Sequence, residues 1–207
     1  VTFEAEDECG NTAGGFNCTY IFTDTTAPEF TFVPEGGDYS CDADLPEVNA
    51  EAEDNCSGAT VTYADVTTPG DCPQSYTVTR TFTAVDGCEN AATASIDFNV
   101  SDDEAPVWDF GCEGTFEYEQ CPDDVTYAIE VGTEFTVFDS WEIGGNTIPS
   151  LEGCVEDNCS DDLTIRVTAI EDNEDNCERV IVVTFEAEDE CGNTAGGFNC
   201  TYIFTDT

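Results

Sequence analysis

Acidic residues recur in this sequence in a fixed company. Glu53-Asp54-Asn55-Cys56-Ser57 returns as Glu156-Asp157-Asn158-Cys159-Ser160, and Asp86-Gly87-Cys88 returns as Asp189-Glu190-Cys191. Asp24 and the run Asp102-Asp103-Glu104 lie ahead of these motifs, next to Ala-Pro steps. Carboxylate and amide oxygens with no nitrogen donor among them suit a hard cation, Ca2+ in preference to a transition metal. The competing reading is a solvated acidic loop, the usual fate of an acidic run.

The charge balance makes the question pressing. The 207 residues hold 47 Asp and Glu against 3 Lys and Arg, with no His, for a formal net charge of −44. Nucleic acid and anionic membrane surfaces are poor partners for such a field. Self-repulsion also works against a compact state, so bound cations or a screening salt environment are expected. Without His or Lys, the Ser-His-Asp, Cys-His and Ser-Lys catalytic systems are absent, and the chain is expected not to be an enzyme. The 13 Cys, with no CxxC and no His to share a zinc site, point to disulfides and an extracellular location. No apolar run is long enough to span a membrane. The absence of Met and of a signal peptide is what an internal fragment would show.

The elements that must place these residues follow from a repeat. Val1–Thr25 is identical to Val183–Thr207, an offset of 182, so the chain reads as one period of a tandem array plus an overlap. Residues 1–25 are then the closing strands of a long module, 26–102 a short module, and 103–207 a second long module. Short alternating stretches separated by Gly, Pro and Asp turns predict strands at 29–33, 46–52, 59–66, 75–86 and 93–100. Tyr76, Val78, Phe82 and Ala84 share one face of the fourth, and Arg80, on that same face, is expected to reach a carboxylate at the rim. From Cys41 to Cys56 is 15 residues, but from Cys121 to Cys159 is 38; the surplus, at about 125–150, reads as at least one added hairpin. No stretch is convincingly helical. The expected class is all-β: immunoglobulin-like β-sandwiches stacked end to end.

In a sandwich of this kind the loop after the second strand and the loop before the last lie at one end, where the preceding linker enters. That arrangement would gather Asp24, Glu53, Asp54, Asn55 and Asp86 at one junction. It would gather Asp102, Asp103, Glu104, Glu156, Asp157, Asn158, Asp189 and Glu190 at the next. The run Glu171–Asn176 is expected at the other end of the long module, as a solvated loop. The same placement pairs Cys56 with Cys88, leaving Cys41 with Cys72; by correspondence it pairs Cys159 with Cys191 and Cys121 with Cys177. Cys112 on a first strand and Cys200 on a last strand would be neighbours and form a fifth bond. Cys154 is then left over, either as a free thiol or as an interchain bond. Phe135, Phe138 and Trp141 in the insertion, with Trp108 and Phe110, either fill a larger core or form an exposed patch for lateral packing or sugar stacking.

The motifs DECGNTA and DTTAPEF in the long module, and EDNCS and DGCENAA in the short one, resemble those of hyalin-repeat (HYR-type) immunoglobulin-like modules, most of all the Cys-rich versions in very large surface proteins of Bacteroidota. The resemblance covers essentially the whole chain. It implies a β-sandwich fold and a role in adhesion or extracellular scaffolding. It also implies that Thr25, in Asp24-Thr25-Thr26, could carry an O-glycan. The function expected is a structural repeat of a calcium-stiffened extracellular filament or cell-surface stalk, with further copies of itself as partner. The alternative is a glycan-binding adhesin module using the aromatic insertion.

Overall fold

The computed structural model describes residues 1–121, 124–175 and 177–206. Among the described residues seventeen strands form, in chain order. The first eight are β1 (Thr2–Glu6), β2 (Thr12–Asn17), β3 (Glu29–Phe32), β4 (Gly37–Ser40), β5 (Glu51–Glu53), β6 (Thr60–Pro69), β7 (Tyr76–Val85) and β8 (Ala91–Ser101). After β9 (Val107–Trp108) comes a single 3-10 turn, Phe110–Cys112, then β10 (Gly114–Glu119), β11 (Glu134–Thr136), β12 (Trp141–Ile143), β13 (Asn146–Ile148) and β14 (Val155–Glu156). The last three, β15 (Thr164–Asp175), β16 (Glu178–Glu188) and β17 (Thr194–Thr205), are the longest run of paired chain. The protein is all-β, built from several sheets in sandwich fashion.

The chain divides into two compact units. The first comprises 1–34, 49–63 and 81–94; the second comprises 35–48, 64–80 and 95–207. In the first, β1 and β2 form an antiparallel hairpin and β3 pairs with β5. Phe82 is fully buried there and meets Tyr63 edge to face, the ring centroids 6.2 Å apart.

The core of the second unit is a five-stranded sheet of order β10-β17-β16-β15-β11. Alternation along β16 and β17 explains it. Ile181, Val183, Phe185 and Ala187 on one strand, and Phe198, Cys200, Tyr202 and Phe204 on the other, all point to the buried face. β10 adds to the edge of β17 in parallel, placing Phe116 and Tyr118 in stacked contact with Tyr202 and Phe204 at 5.4 and 5.2 Å. Trp108 on β9 stacks on Phe198 at 4.3 Å and donates its indole N–H to the Ala195 carbonyl. Within the stretch 125–150 the chain makes a hairpin, β12–β13, closed by Gly144 and Gly145 with φ of +59° and +74°. Those two left-handed residues are what a two-residue turn of matching twist requires.

Two expectations about local structure change. The run Glu171–Asn176, expected to be a solvated loop, is strand through Asp175, with Asn176 outside the described residues. Cross-strand pairing carries it: Asp172 sits opposite Ile181, and its carboxylate takes a two-pronged bond from Arg179 at 2.9 and 2.8 Å plus one from the Tyr127 hydroxyl at 3.0 Å. The second is β4, which no sequence signal marked. Its residues, Gly-Asp-Tyr-Ser, lie outside the strands expected from alternation; they become strand by parallel pairing with the end of β8.

Arg80 does what its place in the pattern suggested. Its guanidinium is buried, makes a two-pronged bond to Asp65 at 2.8 Å on each side, donates to the Pro46 carbonyl at 3.2 Å, and lies over the Phe98 ring. The Arg80 bond holds the Asp65 carboxyl below the usual range, and the Arg179 bond does the same for Asp172. A depressed native pKa adds stability above the unfolded value and loses it as pH falls through the native one. Acid unfolding below about pH 4 should therefore be shallower in Asp65→Asn and Asp172→Asn than in the parent, as read by circular dichroism. Arg80→Ala should cost about 2–3 kcal/mol in urea unfolding at neutral pH, because it removes both the ion pair and the packed stem.

Candidate cation sites

A five-residue turn is the building block. In Asp86-Gly87-Cys88-Glu89-Asn90 one oxygen of Asp86 accepts the backbone N–H groups of Cys88 and Asn90, each at 2.8 Å. Its other oxygen accepts the Asn90 side-chain amide at 2.8 Å. Asp189-Glu190-Cys191-Gly192-Asn193 makes the same three bonds at 2.8, 2.9 and 2.8 Å. So does Asp7 with Cys9 and Asn11, in a copy that contributes to no cluster of acids among the described residues. The turn is thus encoded locally, and it fixes the Asp carboxylate before any ion is considered. Burial opposes ionisation of Asp86, but the Asn90 and Cys88 bonds outweigh it and hold the carboxyl low.

A second loop anchors a second carboxylate. One oxygen of Asp54 accepts the N–H groups of Cys56 and Ser57 at 2.9 and 3.0 Å, which lowers its pKa. Asp157 treats Cys159 and Ser160 identically, at 2.9 and 2.8 Å. The connectors supply the third carboxylate. Asp24 caps the Thr26 N–H at 3.0 Å, and its carbonyl is held by the Asn90 amide at 3.3 Å. Asp102 caps the Glu104 N–H at 3.3 Å, and its carbonyl is held by Asn193 at 3.1 Å. Asn90 and Asn193 escaped the sequence reading, although both occupy the last place of the repeated turn.

The result is two trios, one in each unit. Oxygens of Asp24, Asp54 and Asp86 lie within 4.8 Å of one another, and so do oxygens of Asp102, Asp157 and Asp189. In each trio the connector and first-loop carboxylates spend one oxygen on backbone N–H groups and leave the other buried without a hydrogen bond. These are one oxygen each of Asp24, Asp54, Asp102 and Asp157. A buried carboxylate oxygen without a donor is costly unless a cation supplies the charge. Burial raises the Asp102 carboxyl above its ordinary range, with the charges of Asp157 and Asp189 adding to the effect.

The remaining acids considered from the sequence stand apart from these trios. Glu53 and Glu156 are exposed on β5 and β14, and Asn55, Asp103, Glu104 and Asn158 are exposed beside them. Asp103 accepts from the Ser101 hydroxyl at 3.0 Å, and Glu190 accepts from the Gln74 amide at 2.6 Å.

The cysteines connect differently from the expected pattern. Cys41 bonds Cys159, with Cα atoms 6.0 Å apart, and Cys72 bonds Cys191, at 5.1 Å. The expected Cys41–Cys72 and Cys159–Cys191 bonds are therefore replaced by two parallel bonds of almost equal span, 118 and 119 residues. Each expected bond lies inside one module. The fold instead brings the end of β4 and the β6–β7 turn against the loops that carry Asp157 and Asp189, and the Cys41 and Cys159 sulfurs lie beside Asp102. Cys112 bonds Cys154 rather than Cys200. Cys112 lies in the 3-10 turn, not on a strand beside β17, and the Asp109 N–H donates to the Cys154 carbonyl at 2.8 Å. Cys154, expected to be the odd one, is thus paired, while Cys200 is buried and unbonded. Cys56 and Cys88 are unbonded and exposed, as is Cys177; Cys121 is unbonded and half-buried.

Among the aromatics, Trp108 and Trp141 are core residues and Phe135 packs against the core, whereas Phe110 and Phe138 are exposed. Trp141 lies 5.2 Å from Phe135 and 5.5 Å from Phe185, ring to ring.

No protein-family model matches the chain, and no curated protein matches it in sequence. Several solved structures are similar at low identity. Drosophila N-cadherin EC1-4 matches at 11% identity with a TM-score of 0.36, over 88% of this chain and 50% of its own. Human mucin-like protocadherin EC1-2 matches at 12% and 0.33, over 87% and 98%. The Bacteroides ovatus mixed-linkage glucan utilization locus SGBP-B, in complex with a mixed-linkage heptasaccharide, matches at 14% and 0.26, over 87% and 48%. The chain spans about half of the N-cadherin EC1-4 chain and of the glucan-locus chain.

Glu89 occupies the place that Gly192 holds in the other turn, with a φ of +70° against +86°. A side chain in the left-handed region costs about 1 kcal/mol relative to Gly. Glu89→Gly should raise stability by about that amount in chemical denaturation, with the turn unchanged by NMR.

Proposed function

We propose that this chain is a structural repeat of an extracellular filament or cell-surface stalk whose connectors are stiffened by Ca2+. The observation that carries the reading is the duplication of the aspartate trio. In both copies a connector carboxylate is drawn to two loop carboxylates, with the same anchoring bonds and the same unpartnered oxygens. The donor set fits a hard divalent ion: three carboxylates, no nitrogen, and free oxygens where the ion's charge is needed. Bound there, the ion would supply fixed positive charge shared between a connector and the loops after it, so that the connector cannot swing independently.

Other features agree with this reading. Three disulfides in a chain without His suit an oxidising, extracellular setting. No helix among the described residues is long and apolar enough to cross a membrane. The identical 25-residue segments support the array reading and differ in packing. Phe185, Phe198, Tyr202 and Phe204 are 0% exposed, while their copies Phe3, Phe16, Tyr20 and Phe22 are 48–93% exposed. The resemblance to HYR-type modules points the same way, and the role is non-enzymatic.

Calorimetric titration with CaCl2 should find two sites per chain, and saturating Ca2+ should raise the melting temperature. Asp54→Asn and Asp157→Asn should each remove one site and part of the thermal gain. A chain that binds no Ca2+ and melts identically in chelator would defeat the proposal.

A further inference from the structure

Four of the unbonded cysteines, Cys56, Cys88, Cys121 and Cys177, form two pairs that reproduce the two halves of a junction already present in the molecule. In that junction the receiving half is Cys159 and Cys191. Each follows an aspartate of a trio by two residues and donates its backbone N–H to that carboxylate, at 2.9 and 2.8 Å. Cys56 and Cys88 follow Asp54 and Asp86 in the same way, with the same bonds at 2.9 and 2.8 Å. All four correspondences, two Asp and two Cys, share one offset of 103 residues.

The contributing half is Cys41 and Cys72. Cys41 comes directly after β4, where the parallel ladder ends at Ser40 opposite Ser101, and its N–H donates to the Ser101 carbonyl at 3.0 Å. Cys121 comes just after β10, whose parallel ladder ends at Glu119 opposite Thr205, with the Gln120 N–H donating to the Thr205 carbonyl at 3.0 Å. Cys72 lies in the turn between β6 and β7, and Cys177 in the turn between β15 and β16. The Asp206 N–H reaches the Cys177 carbonyl at 3.4 Å, so Cys121 and Cys177 share the end of the sheet marked by Thr205 and Asp206.

The order in which such halves follow one another is visible in the chain. Val1–Thr25, identical to the last 25 residues, runs straight into the segment that carries Cys56 and Cys88. From this, and resting on the array reading above, we infer that a second copy of this unit is the partner: Cys121 bonds Cys56, and Cys177 bonds Cys88, of the next copy. These bonds would repeat Cys41–Cys159 and Cys72–Cys191. The cysteine count then closes. One 182-residue period holds 11 Cys, being the 13 of the chain less Cys9 and Cys18 in the duplicated segment. Five disulfides use ten of them and leave Cys200, which is 2% exposed. Each new bond joins two Sγ atoms; the two thiols lose two protons and two electrons to a disulfide oxidant, which leaves as two thiols.

The test is a disulfide map of two proteins refolded in a mixture of oxidised and reduced glutathione, with remaining thiols alkylated before digestion and mass spectrometry. The first is the chain itself, which should show its three bonds and alkylated Cys56, Cys88, Cys121 and Cys177. The second is a two-period polypeptide in which residue 207 of one copy continues into residue 26 of another. It should show Cys121–Cys56 and Cys177–Cys88 bonds from the first copy to the second, with the outer four cysteines alkylated. The Cys41–Cys159 and Cys72–Cys191 peptides in the same digest report that each copy folded. Bonds Cys56–Cys88 and Cys121–Cys177 within a copy, or alkylation of the inner four cysteines, would overturn the inference. Repeating the map in chelator separates it from the calcium reading: bonds that form there, in a chain that titrates no Ca2+, would leave this pairing standing and the stiffening reading failed.

Discussion

The structure depends on holding like charges close together. A chain with 47 acids and 3 arginines has few internal counter-charges to distribute, and each arginine is committed to carboxylates within the fold. Yet the trios place three carboxylates within 4.8 Å, partly buried, at the points where connectors meet loops. Coulomb repulsion there is severe at low effective dielectric. The backbone answers it in part, since each carboxylate is tied to local N–H groups by two-residue turns. Those bonds stabilise the ionised form of single residues, but they cannot neutralise the set. Each trio therefore keeps more negative charge than its local donors offset.

The two identical segments show how much of a strand's identity lies outside it. As Val183–Thr207, the sequence forms the end of β16 and the twelve-residue β17; as Val1–Thr25, it forms a short hairpin whose second strand stops at Asn17. The residues that flank Cys200–Thr205 are Glu178–Val183 on one side and Gly114–Glu119 on the other. Cys18, the copy of Cys200, donates its N–H to the Val1 carbonyl at 2.9 Å and lies outside any strand. The local features survive in both copies: the aspartate turn at Asp7, and the bulge at Gly15, with φ of +95°, matching Gly197 at +91°. Turn chemistry is carried by five residues, whereas a long strand needs neighbours on both edges.

This contrast also explains what was legible in the sequence. Period-two alternation located β3, β6, β7 and β8, and on β7 it also marked the buried face, including the inward Arg80, although β3 and β6 bury no residue. The recurrence of D-N-C and D-x-C located the two loops whose aspartates converge. Selection among neighbouring acids was not legible: Glu53, Asp103, Glu104, Glu156 and Glu190 have the right chemistry, but strand pleat and turn geometry aim them outward. Disulfide partners were least legible. Spacing relates Cys41 to Cys121 and Cys56 to Cys159 as equivalents, but equivalence within two halves says nothing about which equivalents touch. That depends on how β4 and the β6–β7 turn meet the following loops, a tertiary fact with no local signature.

The pair of long-span disulfides has a mechanical meaning. Suppose the polypeptide is pulled from its two ends. Between residues 41 and 191 the load has two short covalent routes and one long one. One crosses at Cys41–Cys159 and follows the backbone for the 32 residues from 159 to 191; the other follows the 31 residues from 41 to 72 and crosses at Cys72–Cys191. The long one runs through 73–158, 87 residues from 72 to 159, and stays slack while the two short routes are drawn out. That shielded length contains β7 and β8, the core residue Trp141, and the connector with Asp102. Even fully drawn out, the loaded segments extend on the order of 110 Å at about 3.5 Å per residue. The connector with Asp102 therefore lies off the shortest covalent path, whereas the connector with Asp24, ahead of Cys41, lies on it.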